Sequence, residues 1–204
     1  MTGNNDRNAG GLLVVASLAS ALMMAHHPSS GHQLVLGQFV HGAMITIVGV
    51  MTLGFIHFAR RLGLDRLSVL AGLVAFGIAA FSEIGAATIN GFVVTNLVAR
   101  GVDDHDLFML AWEANQALAR MGVVATGVAF ILWSLQLVRR GGWAGKALGG
   151  LGVVAGALPA VLLATGTMTM HLHGAILIYA GQAAWMALAG LYLWTGKFAK
   201  ELDV

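Results

Sequence analysis

The sequence contains no cysteine, only two prolines (Pro28 and Pro159) and very little charge, 10% of its 204 residues. The lack of cysteine excludes disulfides, thiolate metal sites and thiol chemistry. So little charge excludes an ordinary soluble domain, which needs far more to stay dissolved. A net charge of +2 offers no basic surface for nucleic acid. No nucleotide-binding loop, nucleophile triad or carboxylate dyad is visible, so hydrolase and kinase readings have no support.

What remains is apolar. Hydrophobic residues make up 58% of the chain and fall in long runs. They predict an all-α, polytopic protein of the lipid bilayer, with residues 1–204 forming a single transmembrane domain. The 28 glycines suit helices that approach closely in lipid, where packing rather than water exclusion joins them. Six spans are expected. The first runs from about Gly11 to Ala25 and the second from Leu34 to Ala59. The third starts at Leu67, and the fourth ends at Val138. The fifth runs from Ala147 to Thr167 and the sixth from His171 to Thr195. A span needs ~20 residues, so the first is short and either borrows residues from its flanks or is a signal peptide.

Charge sorts the connections. "ARRLGLDR" carries Arg60, Arg61 and Arg66, "VRRGGWAGK" carries Arg139, Arg140 and Lys146, and the tail carries Lys197 and Lys200. They alternate with "HHPSSGH", "GVDDHD" and "TMTMHLH", which hold neither Lys nor Arg. The positive-inside rule then predicts an inner or plasma membrane protein with both termini in the cytoplasm. Seven of the eight histidines fall on the outer half. The exception, His57, is expected to snorkel to the inner interface beside Arg60.

Leu67–Ala99 and Asp104–Val138 would each reach ~50 Å as helices, against a hydrocarbon core of ~30 Å. They read as a long antiparallel hairpin of the third and fourth helices, with its tip outside the membrane. Gly101 is placed to end one helix and Asp103 or Asp104 to cap the next. With the turn near residue 102, Glu83 should face Arg120 and Asn90 should face Glu113. A charge within a span costs ~3 kcal/mol or more and is normally paired or functional. The favoured expectation is a structural Glu83–Arg120 ion pair. The sharper one gives Glu83, Glu113 and Arg120 catalytic roles in moving protons and charge. The oily outer end of the hairpin (Phe92, Val93, Leu107, Trp112) predicts a cover, either lipid or another copy of the chain in a homo-oligomer.

"VHGAMITIVGV" (40–50) and "LHGAILIYAGQ" (172–182) are alike, and "NQALARMGVVATGV" (115–128) occupies the corresponding place in the fourth helix. The repetition hints that His41, Arg120 and His173 lie at similar depths. Neutral imidazole ligates zinc, copper and iron. His26, His27, His32 and His171 are therefore candidate metal ligands, with Met168 and Met170 as possible soft partners, although the spacings match no standard zinc signature. Met23, Met24, Met44 and Met51 read as packing residues. His41 and His173, each followed by glycine at a helix start, are candidate axial ligands for heme b, which needs helix-borne histidines beside small residues. These His-Gly starts resemble those of small membrane heme isomerases acting on styrene-type epoxides. The likeness covers a few residues of one or two helices, in proteins that are shorter and have fewer spans.

Three functions follow. The first is a redox protein, isomerase or oxidoreductase that uses heme b or a Cu, Fe or Zn ion on a small apolar molecule. The second is a proton- or ion-coupled transporter built on Glu83, Glu113 and Arg120. The absence of acidic residues from the inner half of the expected spans argues against it. The third is a non-catalytic subunit of a larger membrane complex.

Overall fold

A computed structural model of the chain describes residues 2–27 and 33–196. His32 and the tail lysines Lys197 and Lys200 lie outside them. The described residues form seven α-helices and no strand: α1 (Thr2–Ala25), α2 (Leu34–Leu62), α3 (Leu67–Thr88), α4 (Thr95–Ala99), α5 (His105–Arg140), α6 (Trp143–Ala164) and α7 (Leu172–Trp194). A π-helical segment, Ile89–Val94, joins α3 to α4 without a break, so six continuous helices are long and apolar enough to cross a membrane. The protein is a six-helix integral membrane protein.

The first helix borrows residues from its N-terminal flank, one of the two expected alternatives. It begins at Thr2 and draws Asp6 and Arg7 into its opening turns. The fifth span is displaced toward the N-terminus, running from Trp143 to Ala164, because Thr165 and Gly166 (φ 69°) turn the chain out of the helix. Each span packs on the next, and the last returns to the first, so the six form a closed circuit with α6–α7 as its loosest seam. We name its ends by their connections. The basic end carries the Arg60–Arg66 and Arg139–Lys146 turns. The histidine end carries the other loops, together with Arg100 and Arg120.

Glycine makes the close contacts. A methyl group on Gly127 of α5 would strike the Gly156 backbone of α6, and one on Gly156 would strike Gly127. Gly10 of α1 and Gly190 of α7 stand in the same relation. The contacts between α3 and α5 run in opposite chain order. The Gln136 amide donates to the Ser68 hydroxyl (2.8 Å), the Trp133 indole N–H to the Val69 carbonyl (3.2 Å), and the Asn115 amide to the Ala86 carbonyl (2.9 Å). At the histidine end Gly101 takes φ 68°, and the N–H groups of Gly101 and Val102 return to the carbonyls of Val98 and Leu97. That pattern terminates the helix by a left-handed residue that glycine adopts without strain. Asp104 then caps α5, its carboxylate accepting from the Leu107 N–H at 3.1 Å.

The expected Glu83–Arg120 ion pair does not form. Glu83 lies against Gly122, two residues beyond Arg120. Two residues are about 200° around an α-helix, so when Gly122 faces α3, Arg120 faces away. The same rotation brings Asn115 onto α3 and leaves Glu113 on the exposed face. His57 also departs from expectation. Its Nε2 meets the Asp6 carboxylate at 2.6 Å, and the Arg61 Nε lies 3.4 Å from the same oxygen. Asp6 is only 2% exposed. The N-terminal extension of α1 thus puts a buried acid in the basic half of a span, where the sequence suggested none.

Candidate functional site

Two side-chain clusters divide the bundle. Toward the basic end, Phe55 and Phe58 of α2, Phe76 of α3, Phe130 and Trp133 of α5 and Trp185 of α7 pack ring on ring. Phe55 stacks on Trp133 with centroids 5.2 Å apart, and Phe130 approaches Trp185 at 4.1 Å. Gly72 and Gly152 supply the hollows that admit the two indoles. Toward the histidine end the corresponding positions are small or flexible: Ala86, Ala119, Ala175, Met24 and Met170. The alanines that α3, α5 and α7 turn toward one another cannot fill the space between them. The result is a cavity of about 460 Å³.

Every span except α6 contributes to its wall. The apolar lining is mostly alanine and methionine, including Met44, Met51 and Met186. The polar lining comprises His27, His41, His171 and His173, the carboxyl of Glu83, the amides of Asn90, Asn115, Gln116 and Gln182, and Ser20 and Tyr179. His41 is held in a defined state. Its Nδ1 lies 2.7 Å from the Gly37 carbonyl, which can only accept, so Nδ1 carries the proton and Nε2 keeps its lone pair. The His27 ring meets the His41 ring edge-on at 4.9 Å, and the His171 ring lies 5.6 Å from Trp112. On the far side of His41 is Gly91 of the π-helical segment, where any side chain would collide with the imidazole. The π turn, Gly91 and His41 therefore form one unit, and π segments inside helices often accompany functional sites.

The wall's amides are oriented as well. Asn115 donates to the Ala86 carbonyl, Gln116 to Met170 (3.4 Å) and Gln182 to Val123 (3.2 Å). Each amide therefore directs its NH₂ group at the backbone and keeps its oxygen for another partner. The Gln182 oxygen is buried and has none.

Compared with family models, with curated proteins and with solved structures, the chain matches none. The site is therefore read from its own chemistry.

The sequence candidates separate into two groups. Five of them, His27, His41, His171, His173 and Glu83, border the one cavity. His26 does not: it is exposed, and its Nδ1 turns back to the Leu22 carbonyl at 2.9 Å. Glu113 and Arg120 are exposed on the face of α5 that turns away from α3. Arg120 therefore does not join His41 and His173 at the cavity. Among the described residues no group of three His, Cys, Asp or Glu converges as a metal site. Asn115, Tyr179 and Gln182 were not singled out from the sequence. A signal existed, since Ala175, Tyr179, Gln182 and Met186 recur at the spacing of one helix face, and that face carries a glutamine deep in an apolar run.

Proposed function

We propose that the protein is a plasma-membrane protein with both termini in the cytoplasm, and that its histidine end faces outward. There, in our reading, it binds a small, mainly apolar molecule in the cavity and exchanges protons with it through Glu83 and His41. The observation that carries this reading is the cavity itself: alanine and methionine walls, a few convergent polar groups, and a carboxyl facing Gly122 rather than a cation. That combination is the usual form of a small-molecule site. Methionine suits it because a flexible thioether conforms to an apolar surface. The direct test is binding in lipid nanodiscs, using a panel of one-ring aromatic compounds with different polar groups. Binding should raise the melting temperature, and Ala119→Phe, which fills the cavity, should abolish the rise. A panel with no binder, or rises unchanged in the filled variant, would remove the reading.

Heme b is the second reading, favoured by His41. A histidine whose Nδ1 is anchored on a backbone carbonyl offers Nε2 to a metal, the arrangement typical of ligating histidines. Heme asks for one or two axial ligands, so it fits this wall better than a bare Cu, Fe or Zn ion, for which no group of three His, Cys, Asp or Glu converges among the described residues. Purified protein should then show a Soret band that His41→Ala removes. A colourless, metal-free, folded preparation would defeat it. A transport path has less in its favour, because it would have to cross the packed rings below the cavity, and Glu113 and Arg120 lie outside any such path.

A further inference from the structure

Several polar atoms of the cavity wall are acceptors with no donor assigned to them. The three amides of Asn115, Gln116 and Gln182 direct their NH₂ groups to backbone carbonyls and keep their oxygens. His41 donates through Nδ1 and keeps the lone pair on Nε2. The Gln182 oxygen is buried without a partner, on a residue only 1% exposed. Glu83 adds a carboxyl with no cationic side chain in ion-pair contact among the described residues. The orphan Gln182 oxygen asks the occupant for a donor, and a carboxylate away from water asks for positive charge. Tyr179 and Trp112 also border the cavity, and aromatic rings attract organic cations.

We propose that the cavity takes a protonated organic amine, its ammonium group held by Glu83 and the Gln182 oxygen and its hydrocarbon part against the methionine wall. An anion is disfavoured, because it would face the Glu83 carboxyl and the Gln182 oxygen. A neutral alcohol satisfies one acceptor and leaves Glu83 without a counter-charge. This inference rests on the cavity being a small-molecule site and goes further by naming the ligand's charge and hydrogen-bond sense.

The test compares three compounds of one shape, benzylamine, benzyl alcohol and benzoate, on the full chain in nanodiscs. Empty nanodiscs are used to subtract partitioning into lipid. Benzylamine should bind at least about tenfold tighter than benzyl alcohol, and benzoate should not bind. In Glu83→Gln that preference should fall to about twofold or less while benzyl alcohol still binds. Equal or tighter binding of the alcohol by the wild-type chain overturns the amine assignment and leaves the cavity reading standing. An undiminished amine preference in Glu83→Gln also overturns it. If none of the three binds the wild-type chain, both readings fall together. The wild-type comparison alone decides the matter should Glu83→Gln not fold.

Discussion

The two halves of this bundle are made by the same helices and filled in opposite ways. Toward the basic end, six aromatic rings from α2, α3, α5 and α7 meet in one packed cluster. Toward the histidine end, the same helices present alanine and methionine, and the space between them stays open. Within α5 the change falls between Ala119 and Val123 on one side and Phe130 and Trp133 on the other. The comparison separates two tasks. The ring-filled half fixes how the helices sit, and the open half uses that rigidity to hold polar side chains around a cavity that tighter packing would have closed.

The largest expected effect lies in the filled half. Trp133 is fully buried, stacks on Phe55 and donates to the Val69 carbonyl. Trp133→Ala should cost about 3–5 kcal/mol, through the cavity it creates and the indole hydrogen bond it removes. Thermal or denaturant unfolding in detergent measures it. A loss under about 1 kcal/mol would mean that the rings are not what fixes the bundle.

Asp6→Asn comes next. It keeps the shape of a nearly buried side chain and removes the charge shared by His57 and Arg61. A loss of about 1–3 kcal/mol is expected, since breaking a charge-assisted bond costs more than a neutral one. A double-mutant cycle with His57→Ala should show the two losses to be non-additive. Additive losses would mean that the 2.6 Å contact contributes nothing of its own.

The number of spans could be read from the sequence because lipid imposes long apolar runs, although the bounds of the first and fifth moved. The cap at Asp104 and the turn at Gly101 could be read because their geometry favours few residue types. Helix rotation could not be read. A register argument from the turn near residue 102 places partners to within about two residues, and two residues exchange the buried and exposed faces of α5. For that reason Glu83 was placed opposite Arg120 when Gly122 is its neighbour. The cavity was half legible. The histidine-rich connections pointed to the end that holds it, but an empty space left by alanines on three helices has no signature in any one of them. Asp6 was missed because the apolar run begins only after it.

The same substitution placed in both halves tests the comparison directly. Ala129→Leu, at a fully buried position among the rings, should cost about 1–3 kcal/mol by overpacking. Ala119→Leu, ten residues earlier at the cavity wall, has room to turn into and should change stability by less than about 1 kcal/mol. Unfolding midpoints of the two variants, measured side by side, decide it. Equal penalties would mean that the open half is as tightly packed as the other.

The smallest effects are expected at the two charges that first looked like site residues. Arg120 and Arg140 are 20 positions apart on one helix, which is about 30 Å along its axis, the thickness of a hydrocarbon core. If Arg139 and Arg140 sit at one membrane surface, Arg120 reaches the other, and Glu113 stands beyond it. Neither side chain then needs a partner within the lipid, and both point away from the cavity. Glu113→Gln and Arg120→Gln should each shift stability by no more than about 0.5 kcal/mol and leave the binding of cavity ligands unchanged. A tenfold loss of binding in either variant would move the site outward along α5 and erase the distinction between its buried and exposed faces.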